Sequence, residues 1–454
     1  MIRQNGEKHT KGAAPRPWRS LFMPSFFWLL GLLSLFSRTM EAAGFPLTIS
    51  ETKRKPVVIV GAGPTGLAAA LALRKEGFTD ISVLEKRNEG EVESERAYAY
   101  LIDGRGQRLT NFLGLTNDLA SLSVSSRKFQ SLTEIRTDGT VNVVQLPVLD
   151  PKAIEKFWLP RAAFLRVLQS AVPRVSGDGQ GEGGVEGEGI RIEWGTQLEA
   201  IRVDEQDTLT VIARREADGS TVEVQPALLL GCDGLNSQVR KWLNEESSLE
   251  DSEKKKFRMT KLPSDAAGLF YRILTISPSF PLPVQEGEKE SRMTDCESAY
   301  AIRGAGTPPL SLGLLPLKQS DRRTANIICW PSHPIWKANT PEKMTAFLKK
   351  EFPQLADRMD SFVSPQEVSR FARAPCGQFP SPQYSSALFA SFPTQRSTRS
   401  RKLPPSSRQQ IRSVVALAGD SAHAFSPDLG QGVNSGLEDV CALVGCLREA
   451  EKGG

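Results

Sequence analysis

The chain has 454 residues, of which 39% are hydrophobic and 24% are charged, with a formal net charge of +5. This composition allows a large buried core and excludes a wholly disordered protein. The basic excess lies largely in the first twenty residues and in one late Ser/Arg-rich segment, so we expect no nucleic-acid partner. The six cysteines form no C-x-x-C pair and only three histidines are present, which indicates reduced thiols and no metal site.

A presequence is predicted over residues 1–50. Several Lys and Arg residues precede an apolar stretch at residues 21–36, and the small residues Ala42, Ala43 and Gly44 follow it. This order is typical of a signal peptide, or of a membrane anchor if the stretch is retained. We therefore expect entry into the secretory or endomembrane system and membrane association through the apolar stretch. The junction before Phe45 is alternatively typical of a presequence that targets a protein to a plastid of secondary origin.

A dinucleotide-binding βαβ unit is predicted next. A strand at residues 57–60 leads into Gly61-Ala62-Gly63-Pro64-Thr65-Gly66, a helix follows, and a second strand ends at Glu85. In such a turn the first glycine permits the bend, the second lets the backbone approach a diphosphate, and the third lets the helix pack closely on the sheet. The helix N-terminus stabilises phosphate charge. Because Glu85 can accept hydrogen bonds from ribose hydroxyls, the unit favours FAD or NAD over NADP.

Two further glycine turns follow strands later in the chain. The second is Gly231-Cys232-Asp233-Gly234, and the third begins at Gly419-Asp420 and ends at Gly430-Gln431-Gly432-Val433-Asn434. In the third turn, Asp420 could bind the hydroxyls of a ribityl chain and the glycines would admit a flat ring. A helix beginning near Gln431 would point its positive end at that ring, where flavin reduction leaves negative charge.

The hydrophobic patterning predicts two structural units in an α/β chain. Alternation between residues 269 and 331 indicates an antiparallel sheet, and residues 342–352 indicate a helix. The predicted fold is a Rossmann-like FAD-binding domain of the glutathione-reductase type with an antiparallel β-sheet plus helix substrate domain. The predicted ranges are 51–250 and 411–454 for the FAD-binding domain, 262–380 for the substrate domain, and 176–189 and 381–410 for flexible insertions, the latter basic and Ser/Arg-rich.

The order and spacing of the three turns resemble the class A flavoprotein monooxygenases of the 4-hydroxybenzoate hydroxylase type, over roughly residues 56–446. Within that class the second turn, residues 423–439, and Arg96 followed by Arg105-Gly106 are similar to kynurenine 3-monooxygenase. Asp428-Leu429 replaces an aromatic pair of that family, which disfavours kynurenine itself as substrate. The resemblance implies an FAD-dependent reaction that uses NADPH or NADH and dioxygen. One oxygen atom is placed on a small, aromatic substrate, and no side-chain nucleophile is needed.

The resemblance also implies roles for individual residues. Arg96 would contact FAD or grip a substrate carboxylate, and the Asp233 turn would serve both the FAD diphosphate and NADPH. Pro427, Gly430 and Asn434 would lie near the flavin ring. The complete predicted cofactor-binding set is Gly61, Ala62, Gly63, Pro64, Thr65, Gly66, Glu85, Lys86, Arg96, Arg161, Asp233, Gly234, Gly419, Asp420, Gly430, Gln431, Gly432, Val433 and Asn434.

Two other hypotheses stay open. The chain could be another FAD oxidoreductase on the same scaffold, a carotenoid-type epoxidase or a polyprenyl reductase, because residues 427–432 resemble the epoxidase motif although Asn434 does not. It could also be a catalytically silent FAD-binding interaction protein, because the chain ends soon after Asp439.

Overall fold

A computed structural model describes residues 52–91, 99–127, 131–146, 154–176, 189–205, 208–318, 323–392, 413–427 and 430–453. Four features named above lie outside these ranges: the presequence, Arg96, the pair Asp428-Leu429, and the Ser/Arg-rich part of residues 381–410. Nearly all of the predicted insertion at residues 176–189 lies outside them as well.

The described ranges contain short and medium strands throughout. In chain order the strands are β1 (Val57–Val60), β2 (Asp80–Leu84), β3 (Ala99–Ile102), β4 (Val124–Ser125), β5 (Ser131–Ile135), β6 (Val141–Gln145), β7 (Phe157–Pro160), β8 (Gly189–Glu193), β9 (Thr196–Val203), β10 (Leu209–Arg215), β11 (Thr221–Val224), β12 (Leu228–Gly231), β13 (Thr260–Lys261), β14 (Phe270–Ile276), β15 (Ala299–Arg303), β16 (Ser311–Leu314), β17 (Arg323–Cys329), β18 (Gly377–Gln378), β19 (Gln383–Tyr384), β20 (Phe389–Phe392), β21 (Ser413–Leu417) and β22 (His423–Ala424).

Helices connect many of these strands. The α-helices are α1 (Pro64–Lys75), α2 (Gly104–Leu113), α3 (Thr116–Ser121), α4 (Arg161–Ser176), α5 (Gln238–Glu245), α6 (Asp251–Lys254), α7 (Pro341–Glu351), α8 (Met359–Phe362), α9 (Pro365–Arg373) and α10 (Gly432–Gly453). Four 3₁₀ segments lie at Lys255–Phe257, Pro334–Lys337, Pro353–Arg358 and Gly419–Ser421.

The first large sheet carries the three glycine turns. Its strand order is β20-β21-β12-β1-β2-β8, parallel except for β20 at the edge. Successive residues of a strand point to opposite faces, so Val57 and Ile59 pack toward α1, α4 and α10, whereas Val58 and Val60 pack toward β9–β11 and α5. A parallel sheet covered on both faces explains the continuous apolar strands. The carboxyl ends of β1, β12 and β21 lie side by side, where such sheets bind ligands.

The second large sheet has the order β18-β14-β17-β16-β15-β5-β6 and is antiparallel except between β15 and β5. Leu274, Ile302 and Ile327 on one face form a core with α7 and α9. The predicted mixed α/β fold with an antiparallel sheet is confirmed. However, β5 and β6 come from the range predicted for the FAD-binding domain. Their sequences, SLTEI and VNVVQ, alternate too weakly to reveal which sheet they join.

A small bridging sheet connects the region of the third turn to the second large sheet. In it, β19 pairs with both β13 and β22. Because β18 precedes β19 by only a few residues, the chain passes directly from the edge of the second sheet to the strand that leads toward Pro427.

The predicted loop at residues 381–410 is wrong in its first part. Phe389–Phe392 forms β20, which pairs antiparallel with β21 at the edge of the first sheet. Ala390 and Phe392 are buried, and Phe392 contacts the ring of Trp242 with centroids 5.5 Å apart. This alternation is only four residues long and lies among Ser and Pro residues, so the local composition concealed it.

Phe392→Ala should lower the free energy of unfolding by about 3–5 kcal/mol, because it empties a fully buried site next to Trp242. Urea denaturation provides the measurement. Val143→Ala is the control, since Val143 is 62% exposed and its truncation should change stability by less than about 0.5 kcal/mol. Equal effects of the two substitutions would contradict the assignment of β20 to the core sheet.

Candidate functional site

The first glycine turn has the geometry that its sequence predicts. Gly61 has φ +103° and its amide donates to the Leu84 carbonyl at 2.8 Å, which joins the turn to β2. A Cβ on Gly61 would lie 2.6 Å from the Cys232 carbonyl oxygen, and a Cβ on Gly66 would overlap the Gly61 carbonyl. A Cβ on Gly63, in contrast, would meet no atom within 4 Å. The first and third glycines therefore serve packing, and the second faces open space.

This open space lies at the N-terminus of α1. Gly63 is the N-cap residue and Pro64 occupies the first turn, and no side chain caps the helix. The amides of Thr65 and Gly66 consequently receive no cap from a side chain. Unpaired amides and the positive end of a helix form a binding site for phosphate, so this position fits the diphosphate of a dinucleotide.

Glu85 lies buried beside the turn as an ionised acceptor. Its Oε2 accepts from the Ala62 amide at 2.9 Å, and its Oε1 accepts from the Arg87 amide and Nε at 3.1 and 2.9 Å. Burial alone would raise the pKa of Glu85, but the hydrogen bonds and charge of Arg87 outweigh burial and hold the pKa below its usual value. The neighbouring Lys86 is exposed. Glu85 thus holds an ionised carboxylate directly beside the turn.

The first and third turns are packed together through Thr65. A Cβ on Gly419 would lie 2.7 Å from Thr65 Oγ1, and a Cβ on Gly436 in α10 would overlap the same oxygen. Gly419 has φ +65°, which favours glycine at this position for a second reason. Thr65 therefore occupies a space that only glycines on the facing elements leave open.

The second and third turns are joined by hydrogen bonds. Ser421 Oγ donates to the Gly231 carbonyl at 2.6 Å, and the Arg240 guanidinium donates to the Ser421 carbonyl at 2.6 Å. Arg240 also donates to the Leu235 carbonyl at 2.6 Å. The three turns, distant in sequence, are thus parts of one continuous surface.

Asp233 in the second turn accepts hydrogen bonds through one of its two carboxylate oxygens. Its Oδ2 accepts from the Gln238 and Val239 amides at 2.6 and 3.3 Å. Its Oδ1 is buried and has no hydrogen-bond partner within the described ranges. Burial raises the pKa of Asp233 although these hydrogen bonds oppose it. A hydroxyl group of a bound nucleotide would satisfy Oδ1.

The third turn places a carboxylate beside a helix N-terminus. Asp420 is exposed, and its Oδ1 lies 3.6 Å from the position of a Cβ on Gly432, where α10 begins. The Gly430 amide donates to the Pro427 carbonyl at 3.1 Å, which closes the turn before the helix. A polyol chain next to a flat ring that gains negative charge fits this pairing of carboxylate and positive helix end.

Two predicted cofactor-binding residues have side-chain partners within the protein. Asn434 is completely buried, donates to the Leu101 carbonyl at 2.8 Å and accepts from the Asp103 amide at 3.0 Å. Its side chain therefore joins α10 to β3, and the position of Asn434 near the flavin ring stays a prediction. The Gln431 side chain accepts from the Arg105 guanidinium.

The remaining predicted residues flank the site. Val433 packs against the first core, and Arg161 is buried at the start of α4. Pro160, directly before Arg161, pairs with Ala99, so Arg161 lies close to the point where residues 92–98 join β3. Arg96 lies within that segment, outside the described residues.

Sequence reasoning missed the network behind the third turn. Asp439 Oδ2 accepts from the Gly419 amide at 2.7 Å, and His423 Nε2 lies 2.7 and 2.9 Å from the two Asp439 oxygens. Sequence reasoning assigned these residues no role beyond structure. The only available signal was their position, because Asp439 is one helix turn after Gly436, which packs on Thr65.

A family model described as an FAD binding domain matches residues 54–371 and 407–454. The chain belongs to this FAD-binding family. Curated relatives of this FAD-binding protein include the kynurenine 3-monooxygenase of Salinispora tropica, 24% identical over 410 residues that cover 87% of this chain and 73% of the relative. The kynurenine 3-monooxygenase of Dictyostelium discoideum is 22% identical over 401 residues, with coverages of 87% and 70%.

Solved structures show the same fold. The p-nitrophenol 4-monooxygenase of Pseudomonas putida superposes with a TM-score of 0.53 at 17% identity, covering 88% of this chain and 81% of that one. Together with the family match, these relatives confirm a class A flavoprotein monooxygenase that is similar to kynurenine 3-monooxygenase. The FAD-binding protein is thus an FAD-dependent monooxygenase that uses NAD(P)H.

The described ranges contain neither a membrane-spanning helix nor a cluster of metal ligands. No helix there is long and apolar enough to span a membrane. No group of three or more His, Cys, Asp or Glu side chains in the same ranges could hold a metal ion. The apolar stretch at residues 21–36, on which the predicted anchor depends, lies outside them.

Gly63→Ala and Gly66→Ala should separate cofactor binding from folding. Gly63 has φ −71° and free space, so Gly63→Ala should fold normally yet weaken FAD binding at least about tenfold by obstructing the diphosphate. Gly66→Ala should destabilise the fold itself, because its Cβ overlaps the Gly61 carbonyl.

Flavin fluorescence titration and thermal denaturation of the FAD-free proteins provide the two measurements. Unchanged FAD affinity in a folded Gly63→Ala variant would contradict the assignment of the diphosphate to this turn.

Proposed function

We propose that FAD lies along the three glycine turns as one extended ligand. Its adenosine ribose binds Glu85, its diphosphate lies over Gly63, and its ribityl chain binds Asp420. Its ring lies at the N-terminus of α10. The observation that carries this proposal is the packing of Thr65 against the third turn, which brings the first and third turns to the same edge of the sheet.

The protein residues bind and orient the reactants, while the cofactor supplies the redox chemistry. When bound, FAD accepts a hydride from NAD(P)H and activates dioxygen, one atom of which passes to the substrate. The N-terminus of α10 places positive charge where negative charge develops during reduction. Asp233, with its unpaired Oδ1, offers an acceptor for a ribose hydroxyl of a nucleotide.

We place the substrate against the second large sheet, on the face that points away from α7 and α9. Tyr271, Ile273 and Asn326 lie on this face, because their neighbours in the same strands belong to the helix-side core. Asn326 Oδ1 is buried without a partner in the described part of the chain. The Tyr271 ring covers Gly377 and contacts Phe379, next to the connection from β18 to β19. A flat substrate with a hydrogen-bond donor suits this combination of rings and amide.

The substrate is proposed to be a small aromatic compound. Several of the relatives that span most of the chain are named for kynurenine, which supports an aromatic substrate. Asp428-Leu429 stands where the kynurenine enzymes are expected to have an aromatic pair, so a different aromatic compound is favoured. Arg96 and Arg161 are the candidates for a contact with a substrate carboxylate or with FAD.

Purified FAD-loaded protein should oxidise NADPH or NADH faster in the presence of its aromatic substrate, and ¹⁸O₂ should label the product with one atom. The assay uses a panel of phenols, aromatic carboxylic acids and kynurenine, with a carotenoid and a polyprenyl compound as substrates of the two alternative oxidoreductases. Oxygen transfer to the carotenoid alone, or reduction of the polyprenyl compound, would contradict the aromatic assignment and support the corresponding alternative oxidoreductase. Bound flavin without NAD(P)H oxidation would support the catalytically silent hypothesis.

We also propose that the N-terminal segment directs the protein into the secretory or endomembrane system. The support is the order of basic residues, the apolar stretch at residues 21–36 and the small residues after it. A reporter fused after residue 50 should enter that system, and replacing two leucines of the stretch with Asp should leave the reporter in the cytosol. Delivery of the fusion to a plastid would support the other targeting hypothesis.

A further inference from the structure

We propose that His423 and Asp439 form a proton-dependent brace that holds the Gly419-Asp420 turn, so that the protonation of His423 sets the affinity of the protein for FAD. His423 is a positioning residue in this proposal, since it acts through Asp439 and the turn. The proposal goes beyond the monooxygenase assignment, which requires no titrating side chain.

The brace is a chain of short hydrogen bonds. The backbone amide of Gly419 donates to Asp439 Oδ2 at 2.7 Å. His423 Nε2 lies 2.7 Å from the same oxygen and 2.9 Å from Asp439 Oδ1. Asp439 lies on α10, whereas Gly419 follows β21, so the carboxylate connects the helix to the turn. The turn carries Asp420, and a change in the brace is transmitted directly to the ribityl-binding position.

The surroundings of His423 contain more negative than positive groups. The negative charges of Asp439 and Asp420 both interact with the imidazole. The Asp439 charge also interacts with the thiol of Cys232. The Phe425 ring packs edge-on against the imidazole at 5.6 Å, and Tyr384 pairs with His423 through the backbone between β19 and β22. Arg240 is the nearby cation, and its guanidinium binds the Ser421 carbonyl.

Geometry and charge together favour the protonated ring. Burial alone would lower the pKa of His423, but the Asp439 charge and hydrogen bond, with Asp420 adding to them, raise it above its ordinary value. His423 Nδ1 is buried without a partner within the described ranges, so neither tautomer gains a second hydrogen bond. The ion pair with Asp439 therefore decides the charge state.

Loss of the His423 proton leaves Asp439 as an uncompensated anion behind the turn. FAD carries a negatively charged diphosphate, so an extra negative charge opposes its binding. Binding and protonation are then linked, and each must favour the other by the same factor. Because the pKa of His423 is raised above 6.5 already in the FAD-free protein, affinity is full while His423 is protonated there. It falls as the pH rises from that pKa toward the still higher pKa that the linkage gives the FAD-bound protein.

The test measures the dissociation constant of FAD between pH 6 and 9 with the full-length protein, after removal of bound flavin. We expect affinity to fall about tenfold across the titration of His423, the change that one unit of pKa coupling produces. His423→Gln keeps an amide that can donate to Asp439 but does not titrate, and its affinity should be independent of pH. Asp439→Asn should flatten the profile in the same way.

Two controls keep the result interpretable. His333→Gln removes a buried histidine of a 3₁₀ segment outside the site, so it should retain the pH profile of the unchanged protein. The chain has only three histidines, so NMR of histidine-labelled unchanged protein reports His423 directly, even if a variant fails to fold. Its pKa should rise when FAD is added.

A His423 signal that titrates identically with and without FAD would overturn the proposal. So would a folded His423→Gln variant whose FAD affinity keeps the pH dependence of the unchanged protein. A variant that loses thermal stability but keeps that dependence would show a purely structural role.

Discussion

The close packing of Thr65 against glycines of the third turn and of α10 is the constraint on which the site depends. Any side chain at Gly419 or Gly436 would push α10 away from the first turn. The hydrogen bond from Ser421 to the Gly231 carbonyl then adds the second turn to the same surface. Three segments, separated by well over a hundred residues each, thereby lie at one edge of a parallel sheet.

Charge is distributed along this edge in a pattern that suits FAD. Uncapped amides at the start of α1 suit the diphosphate, and carboxylates at Glu85 and Asp420 suit the hydroxyls on either side of it. The helix N-terminus of α10 lies at the far end. Neighbouring side chains hold these groups in place: Arg87 keeps Glu85 ionised, and Asp439 holds the turn that carries Asp420. The redox chemistry therefore needs little from the side chains beyond position and charge.

Sequence reasoning predicted the parts of the structure that depend on local pattern. The turns after β1, β12 and β21 could be recognised because glycines at close backbone contacts leave a signature in the sequence. The family resemblance was confirmed for the same reason. Non-local features were hidden. The strand β20 was concealed by its Ser- and Pro-rich surroundings, β5 and β6 joined an unexpected sheet, and Asn434 turned inward to bind the backbone at Leu101 and Asp103.

A crystal structure of the FAD-loaded protein tests the central claim most directly. The account predicts one FAD in an extended conformation, with the adenosine ribose at Glu85, the diphosphate over Gly63, and the ring at the N-terminus of α10. A flavin bound elsewhere, or one that spans only the first turn while its ring leaves the edge of the sheet, would contradict it.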